Sequence, residues 1–300
     1  MGFERDLVVG VIVLAIALVA IASPFLLYVS GRVSPSDGGV NVTDVESLIS
    51  SIADTVTHFK FMSFSFGKTT LVKEEVINVT GPLKLNILVK GGGVSVLEWG
   101  EEGKVKVDVL REENIISFSK LLYGYKYMNG TLNITAVNYV IRVYVPPNYV
   151  KSINAEVSGG GLEVSVADAN TLRTLNATIS GGGVDLKLGK LMNFTMVMTV
   201  SSGGLDGHLS FLGDVEHSAS SIKVSVAGGG ADLRVDALNH FFKVKCSASG
   251  GAANVAVRGE RHATVNGSAT YEDPNYVNAS RKLYLDIMVS GGGADVWVSG

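Results

Sequence analysis

The chain has 300 residues, Lys+Arg 25 against Asp+Glu 28, a net charge of -3, 18% charged and 46% hydrophobic residues. That balance argues against a nucleic-acid partner, which selects a basic stripe, and against disorder, which needs low hydrophobicity. One cysteine excludes an intrachain disulfide scaffold, and 36 glycines without a Gly-X-Y period are the compositional outlier.

From Leu7 to Val29 the chain carries no charge for 23 residues, long enough for a transmembrane helix. The competing reading is a signal peptide cleaved before Ser23 after Ala20-Ile21-Ala22. Phe25 to Val29 extends the apolar run beyond what a signal needs, which favours a retained anchor over residues 1–30. Arg5 and Arg32 flank the span on opposite sides, so charge bias does not orient it. Eight Asn-x-Ser/Thr sequons do bear on orientation: Asn41, Asn78, Asn129, Asn133, Asn176, Asn193, Asn266 and Asn278, where composition alone predicts about 2.5. As glycosylation candidates they place the bulk of the chain outside the cell. The alternative is that strand-rich sequences favour Thr two residues after a turn Asn.

A linker spans 31–41. Over 42–59, Val45, Leu48, Ile49, Ile52, Ala53 and Val56 fall at helical spacing behind a Thr43/Glu46 capping box, which predicts a short amphipathic juxtamembrane helix.

Residues 60–300 carry a recurring signature, Ser/Ala-Gly-Gly-Gly-apolar-Asp followed by strict alternation. Its first positions are Gly91, Gly159, Gly181, Ser202, Gly228, Gly250 and Gly291, mostly multiples of 21 to 23 residues apart. Val184, Leu186 and Leu188 alternate with Asp185 and Lys187, and Phe242, Val244 and Cys246 alternate in the same way. Period two predicts strands with one buried face, and two strands per unit predict coils of a β-solenoid. The expected fold is therefore all-β, a single β-helix-like solenoid of about 22-residue coils, eight to ten of them, behind the anchor and the short helix. An irregular insert is expected near 120–138, and the final coil, Ser290 to Gly300, is expected to be an exposed docking edge over which that insert could fold. A strand follows each glycine triple where a phosphate loop needs a helix, so the triples read as tight corners.

The run Val145-Pro146-Pro147-Asn148-Tyr149, then Ile153 to Val164 with Ser158-Gly159-Gly160-Gly161, resembles the "putative adhesin" domain-of-unknown-function family. Leu85 to Val109, with Gly91-Gly92-Gly93, Trp99 and Lys104 to Val107, is similar to that family's opening unit, and the likeness spans about Thr80 to Gly300. It implies a β-solenoid of the bacterial or archaeal envelope and brings no catalytic residues. Gly-Gly-Gly stands here where relatives often show Gly-Asp.

Two residues after each triple stand Ser95, Glu163, Asp185, Asp206, Asp232, Asn254 and Asp295, all of outward parity. Stacked coils would align them as a ladder about 4.8 Å apart. Lys187 and Arg234 could offset the charge, the carboxylates could bond turn backbone, or Asp185, Asp206 and Asp232 could hold a divalent cation such as Ca²⁺. The contiguous glycines and 22-residue period depart from the nine-residue calcium repeat. His58, His208, His217, His240 and His262 show no ligand spacing, and Cys246 has buried parity. No cofactor is implied. Tyr123, Tyr125 and Tyr127 line one strand face, for packing or for stacking on sugars.

The function expected is that of a non-enzymatic, membrane-anchored surface scaffold or adhesin, with a glycan or S-layer-like partner. The alternatives are an envelope-stress sensor and a polysaccharide-acting β-helix enzyme.

Overall fold

The computed structural model describes residues 68–112, 122–265 and 267–300, all within the compact unit Ala53–Gly300. The expected anchor, linker and helix at 42–59 lie outside the described residues, as do Asn41, His58 and Asn266. Among the described residues no helix is long and apolar enough to cross a membrane, and the helical content is one 3-10 turn at Tyr276–Asn278.

The remainder is strand. The first group is β1 (Thr69–Asn78), β2 (Leu83–Lys90), β3 (Val94–Glu98), β4 (Lys104–Glu112), β5 (Leu122–Met128), β6 (Thr131–Val137) and β7 (Val140–Val145). The middle is β8 (Val150–Ser158), β9 (Leu162–Val166), β10 (Thr174–Ser180), β11 (Val184–Leu191), β12 (Thr195–Ser201), β13 (Leu205–Phe211), β14 (Ser218–Ala227) and β15 (Ala231–Asp236). The last group is β16 (Phe241–Ser249), β17 (Ala252–Val257), β18 (Glu260–Val265), β19 (Ser268–Glu272), β20 (Arg281–Ser290) and β21 (Ala294–Ser299).

They form two open sheets. One runs β1-β4-β7-β3-β9-β11-β13-β15-β21-β17-β18, the other β19-β16-β20-β14-β12-β10-β8-β2-β6-β5. From β8 to β15 successive strands alternate between the sheets, and each pairs in parallel with the strand two before or after it. The alternation of the sequence makes this work. In β10, Leu175, Ala177 and Ile179 point inward while Thr174, Asn176, Thr178 and Ser180 point out. In-register pairing stacks the inward residues into columns such as Leu132, Leu85, Ile153, Leu175, Met196, Ile222, Leu285 and Val244. All eight of these side chains are essentially sealed from solvent, and burial of such aliphatic groups is the main stabilising term.

The glycine triples divide their labour. The first residue takes a left-handed backbone, with φ of 77° at Gly159 and 82° at Gly181, and Ser202 adopts φ 60° in the same place. At the second, a Cβ would collide with the carbonyl of the triple below: 2.2 Å for Gly182 against Gly160 O and 1.8 Å for Gly203 against Gly182 O. Corners this close admit no side chain.

At both ends the chain overshoots and returns. The pair β6/β7 lies outside β2/β3, and β8/β9 then stacks on the other side of β2/β3. Between Asn138, at φ 60°, and Tyr139, whose carbonyl abuts Gly92, this turn forms without a triple. The segment expected to be irregular near 120–138 is, from Leu122 onward, the regular antiparallel hairpin β5–β6. The far end corrects a second expectation. β20 and β21 do not form an exposed last coil; they insert between β14/β15 and β16/β17, paired in parallel on both sides. The parallel stack ends instead against antiparallel strands: β4 and β5 at one end, β18 and β19 at the other. Open hydrogen-bonding groups are thereby moved onto strands with charged residues, Lys73, Glu74 and Glu75 in β1 and Glu260 and Arg261 in β18, the usual defence of a sheet edge.

Candidate functional site: two outward faces of unlike chemistry

The outward face of the β9–β21 sheet carries charge in columns. One column reads Arg142, Ser95, Glu163, Asp185, Asp206, Asp232, Asp295, Asn254 across adjacent strands. The ladder expected from the sequence is thus formed, with Asp295 moved ahead of Asn254 because β21 inserts before β17. Two residues further on runs Ser165, Lys187, His208, Arg234, Trp297, Ala256.

Partners along the face hold the carboxylates. Ser95 Oγ donates to Glu163 Oε2 at 2.8 Å and Asn254 Nδ2 donates to Asp295 Oδ1 at 2.7 Å. Lys187 lies 3.2 Å from Asp185 and Arg234 3.9 Å from Asp232. Asp236 accepts from Ser299 Oγ at 2.5 Å and lies 2.6 Å from His208 Nε2, which hold its carboxyl below the ordinary range. Asp185, Asp206 and Asp232 stand one per strand along a line, and among the described residues no three acidic, histidine or cysteine side chains converge as cation coordination requires.

Asp232 is the strained member. Burial raises its carboxyl above the usual value, Asp206 and Asp295 add to the shift, and Arg234 opposes it. The folded state therefore holds this proton more tightly than the unfolded chain. Folding is penalised above the raised value, and the penalty fades as pH falls through it towards the ordinary carboxylate range of about 4. Asp232→Asn is expected to raise the melting temperature at pH 7 by an amount worth less than about 1 kcal/mol, since the side chain is 42% exposed and screened, and to be neutral at pH 3. A larger gain at pH 3 than at pH 7 would refute this assignment.

The opposite outward face is almost uncharged at its centre. β10 and β12 present Thr174, Asn176, Thr178, Ser180 and Thr195, Val197, Thr199, Ser201. Across it runs an amide ladder: Asn86 Nδ2 donates to Asn133 Oδ1 at 2.9 Å, Asn154 to Asn86 at 2.9 Å and Asn176 to Asn154 at 3.0 Å. Stacked amides of this kind reinforce in-register strands.

The six described sequon asparagines, Asn78, Asn129, Asn133, Asn176, Asn193 and Asn278, are all exposed. Four have a role in the fold. Asn133 and Asn176 belong to the ladder. Asn129 and Asn193 hold left-handed turns, at φ 52° and 48°, just before Thr131 and Thr195 open β6 and β12. The excess of sequons over composition therefore has a structural component.

The tyrosines separate. Tyr123 and Tyr127 pack on the core and Tyr125 is 40% exposed. Lys73 Nζ sits 5.7 Å from the centroid of the Tyr123 ring and Tyr125 Oη lies 3.4 Å from Glu75 Oε2, so the strip joins edge strand β5 to edge strand β1. It closes the end opposite β20 and β21 and does not fold over them. Burial pushes the Tyr123 phenol up. Cys246 is sealed in the core, its thiol pushed up to about 12 by burial with a contribution from Asp295, which removes it as a nucleophile. The described histidines lie apart: His208 on Asp236, His240 buried beside Leu238 O, His262 against the Tyr271 ring, His217 beside Glu216.

With these faces defined, comparison with known proteins gives matches among solved structures. The chain is similar to solved structures that carry the names "putative adhesin" or "putative cell adhesion protein". A "putative cell adhesion protein" from Clostridium sporogenes matches at 14% identity and a TM-score of 0.42, over 76% of this chain and 99% of that one. A "putative adhesin" from Bacteroides fragilis matches at 12% identity and a TM-score of 0.27, over 78% and 97%. One from Parabacteroides distasonis matches at 13% identity and a TM-score of 0.24, over 78% and 98%. No protein-family model and no curated protein matches.

Proposed function

We propose that this is a non-enzymatic cell-surface protein: a β-solenoid tethered by Leu7–Val29, with the following residues outside the cell, acting as an envelope scaffold or adhesin. The observation that carries this reading is the in-register stacking of outward side chains over seven parallel strand pairs in each sheet among the described residues. It repeats the same chemistry along each face, as a polyvalent surface does and a single reaction centre does not. The ionisable groups favour binding over turnover. Asp185 with Lys187, Asp232 with Arg234 and Asp236 with His208 are paired along the sheet rather than gathered around one reacting atom. The exposed sequons fit a sugar-coated surface, and the partner in this reading is a glycan or an S-layer-like envelope layer.

Protease treatment of intact source cells followed by mass spectrometry tests the placement. Release of peptides from residues 68–300, with Leu7–Val29 left in the membrane fraction, is the expected result. Peptides that appear only after lysis would overturn it.

A further inference from the structure

We propose that Trp297 is the stacking platform of a binding site for a chain of neutral hexoses, an inference that gives a ligand class and a position to the adhesin reading and rests on it. Trp297 is 49% exposed on the outward face, although its strand is internal to the sheet. The same column position on the four strands before it in the sheet holds Ser165, Lys187, His208 and Arg234, so the indole stands at the end of a polar run. Its neighbours on this face mix charge with one small residue. Across the strands the row runs Arg234, Trp297, Ala256, Arg261: an arginine on one neighbouring strand, a small residue on the other, then a second arginine. Two residues back lie Asp295 and Asn254, joined by a 2.7 Å hydrogen bond.

The occupant follows from this chemistry. A protein anchor around a central Trp is ringed by contacts that exclude water, but here the rim is charged and open. A pyranose ring has an apolar C–H face to lay on the indole and a rim of hydroxyls that both donate and accept. Carboxylate and amide oxygens accept from those hydroxyls, and guanidinium and amide N–H groups donate to them. Charge sets the subclass. Asp232, Asp295 and, opposite Ser299, Asp236 outnumber Arg234 and Arg261, and Arg234 already faces Asp232 at 3.9 Å, so the face disfavours an acidic sugar.

The test uses the full-length chain in detergent micelles, titrated calorimetrically with cellohexaose, mannohexaose and hexagalacturonate. At least one neutral hexaose is expected to bind. Trp297→Ala is expected to weaken that binding at least about tenfold, in the range of a Trp anchor. Trp297→Phe should retain most of the affinity, and both variants should melt with the wild type because the side chain is exposed. Equal binding by Trp297→Ala, tighter binding of hexagalacturonate, or no binding of either neutral hexaose overturns the site. A parallel assay separates this from the broader reading: beads coated with the full-length protein are presented to cell envelopes before and after periodate oxidation. Adhesion that survives periodate and Trp297→Ala removes the sugar site and leaves the adhesin; absence of adhesion to either envelope removes the adhesin reading.

Discussion

Gly203→Ala is expected to cost more than about 4 kcal/mol, a large share of the roughly 5–15 kcal/mol that holds a domain folded. A Cβ at Gly203 would sit 1.8 Å from the carbonyl oxygen of Gly182 and 2.6 Å from its carbon. Both obstructing atoms are backbone, and that backbone is locked on each side: Val184 N donates to Gly204 O at 2.9 Å and Leu205 N to Gly230 O at 3.0 Å. No rotamer change relieves the clash; the two turns must part, which opens the ladder and the aliphatic columns beneath it. Two controls isolate the cause. Ser202→Gly removes a left-handed non-glycine residue, worth about 1 kcal/mol, but loosens the unfolded chain by a similar amount. It should stay within about 0.5 kcal/mol of wild type. Gly124→Ala, where a Cβ meets nothing within 4 Å, should also be near neutral. Urea denaturation followed by circular dichroism reads all three. A Gly203→Ala protein as stable as Gly124→Ala would mean that the triples are not steric corners.

Asp273→Ala is expected to cost more than about 2 kcal/mol, because it removes charge-assisted hydrogen bonds and leaves the buried Phe242 N–H without its acceptor. The Asp273 side chain is 4% exposed and sits where the chain leaves β19. It accepts from Phe242 N at 2.7 Å, Tyr271 Oη at 2.8 Å and Arg258 Nη1 at 3.0 Å, and its own N–H donates to Phe242 O at 2.9 Å. Arg258 in turn covers the Phe242 ring, its guanidinium 5.1 Å from the ring centroid, and donates to His240 O. One carboxylate therefore ties β16, β19 and the turn after β17 together at the end of the stack. Its loss should free the cap first, because each turn contacts only its neighbours. Hydrogen exchange should accelerate in β16, β18 and β19 while β10 and β12 stay protected. Uniform acceleration across the sheets would show that the cap and the middle unfold as one unit. Asp273→Asn should fall between, since its amide nitrogen opposes one of the three donors.

The positions that bear on function were unequally visible in the sequence. The charged ladder was legible because parity places Glu163, Asp185, Asp206, Asp232 and Asp295 outward wherever each coil goes. Trp297 obeys the same parity, but its setting depends on Arg234 and Ala256 lying on either side, and these come from strands that do not neighbour β21 in the chain. The sequons read as one class in the sequence. Stacking divides them, since the ladder of Asn133, Asn86, Asn154 and Asn176 exists only once four separate strands align.

By itself the sequence determined the alternation of buried and exposed faces, the tight glycine corners and the buried thiol of Cys246, because these depend on strand parity and on backbone sterics within one turn. Only the tertiary structure decided which turn lies beside which. The turns that carry a glycine triple present nearly the same aliphatic edge and the same corner, so local pattern cannot rank the partners of β20 and β21. Two things break the degeneracy: the length of chain between β17 and β20, which supplies the antiparallel cap β18 and β19, and the need of β14/β15 on one side and β16/β17 on the other to have their open hydrogen-bonding edges filled.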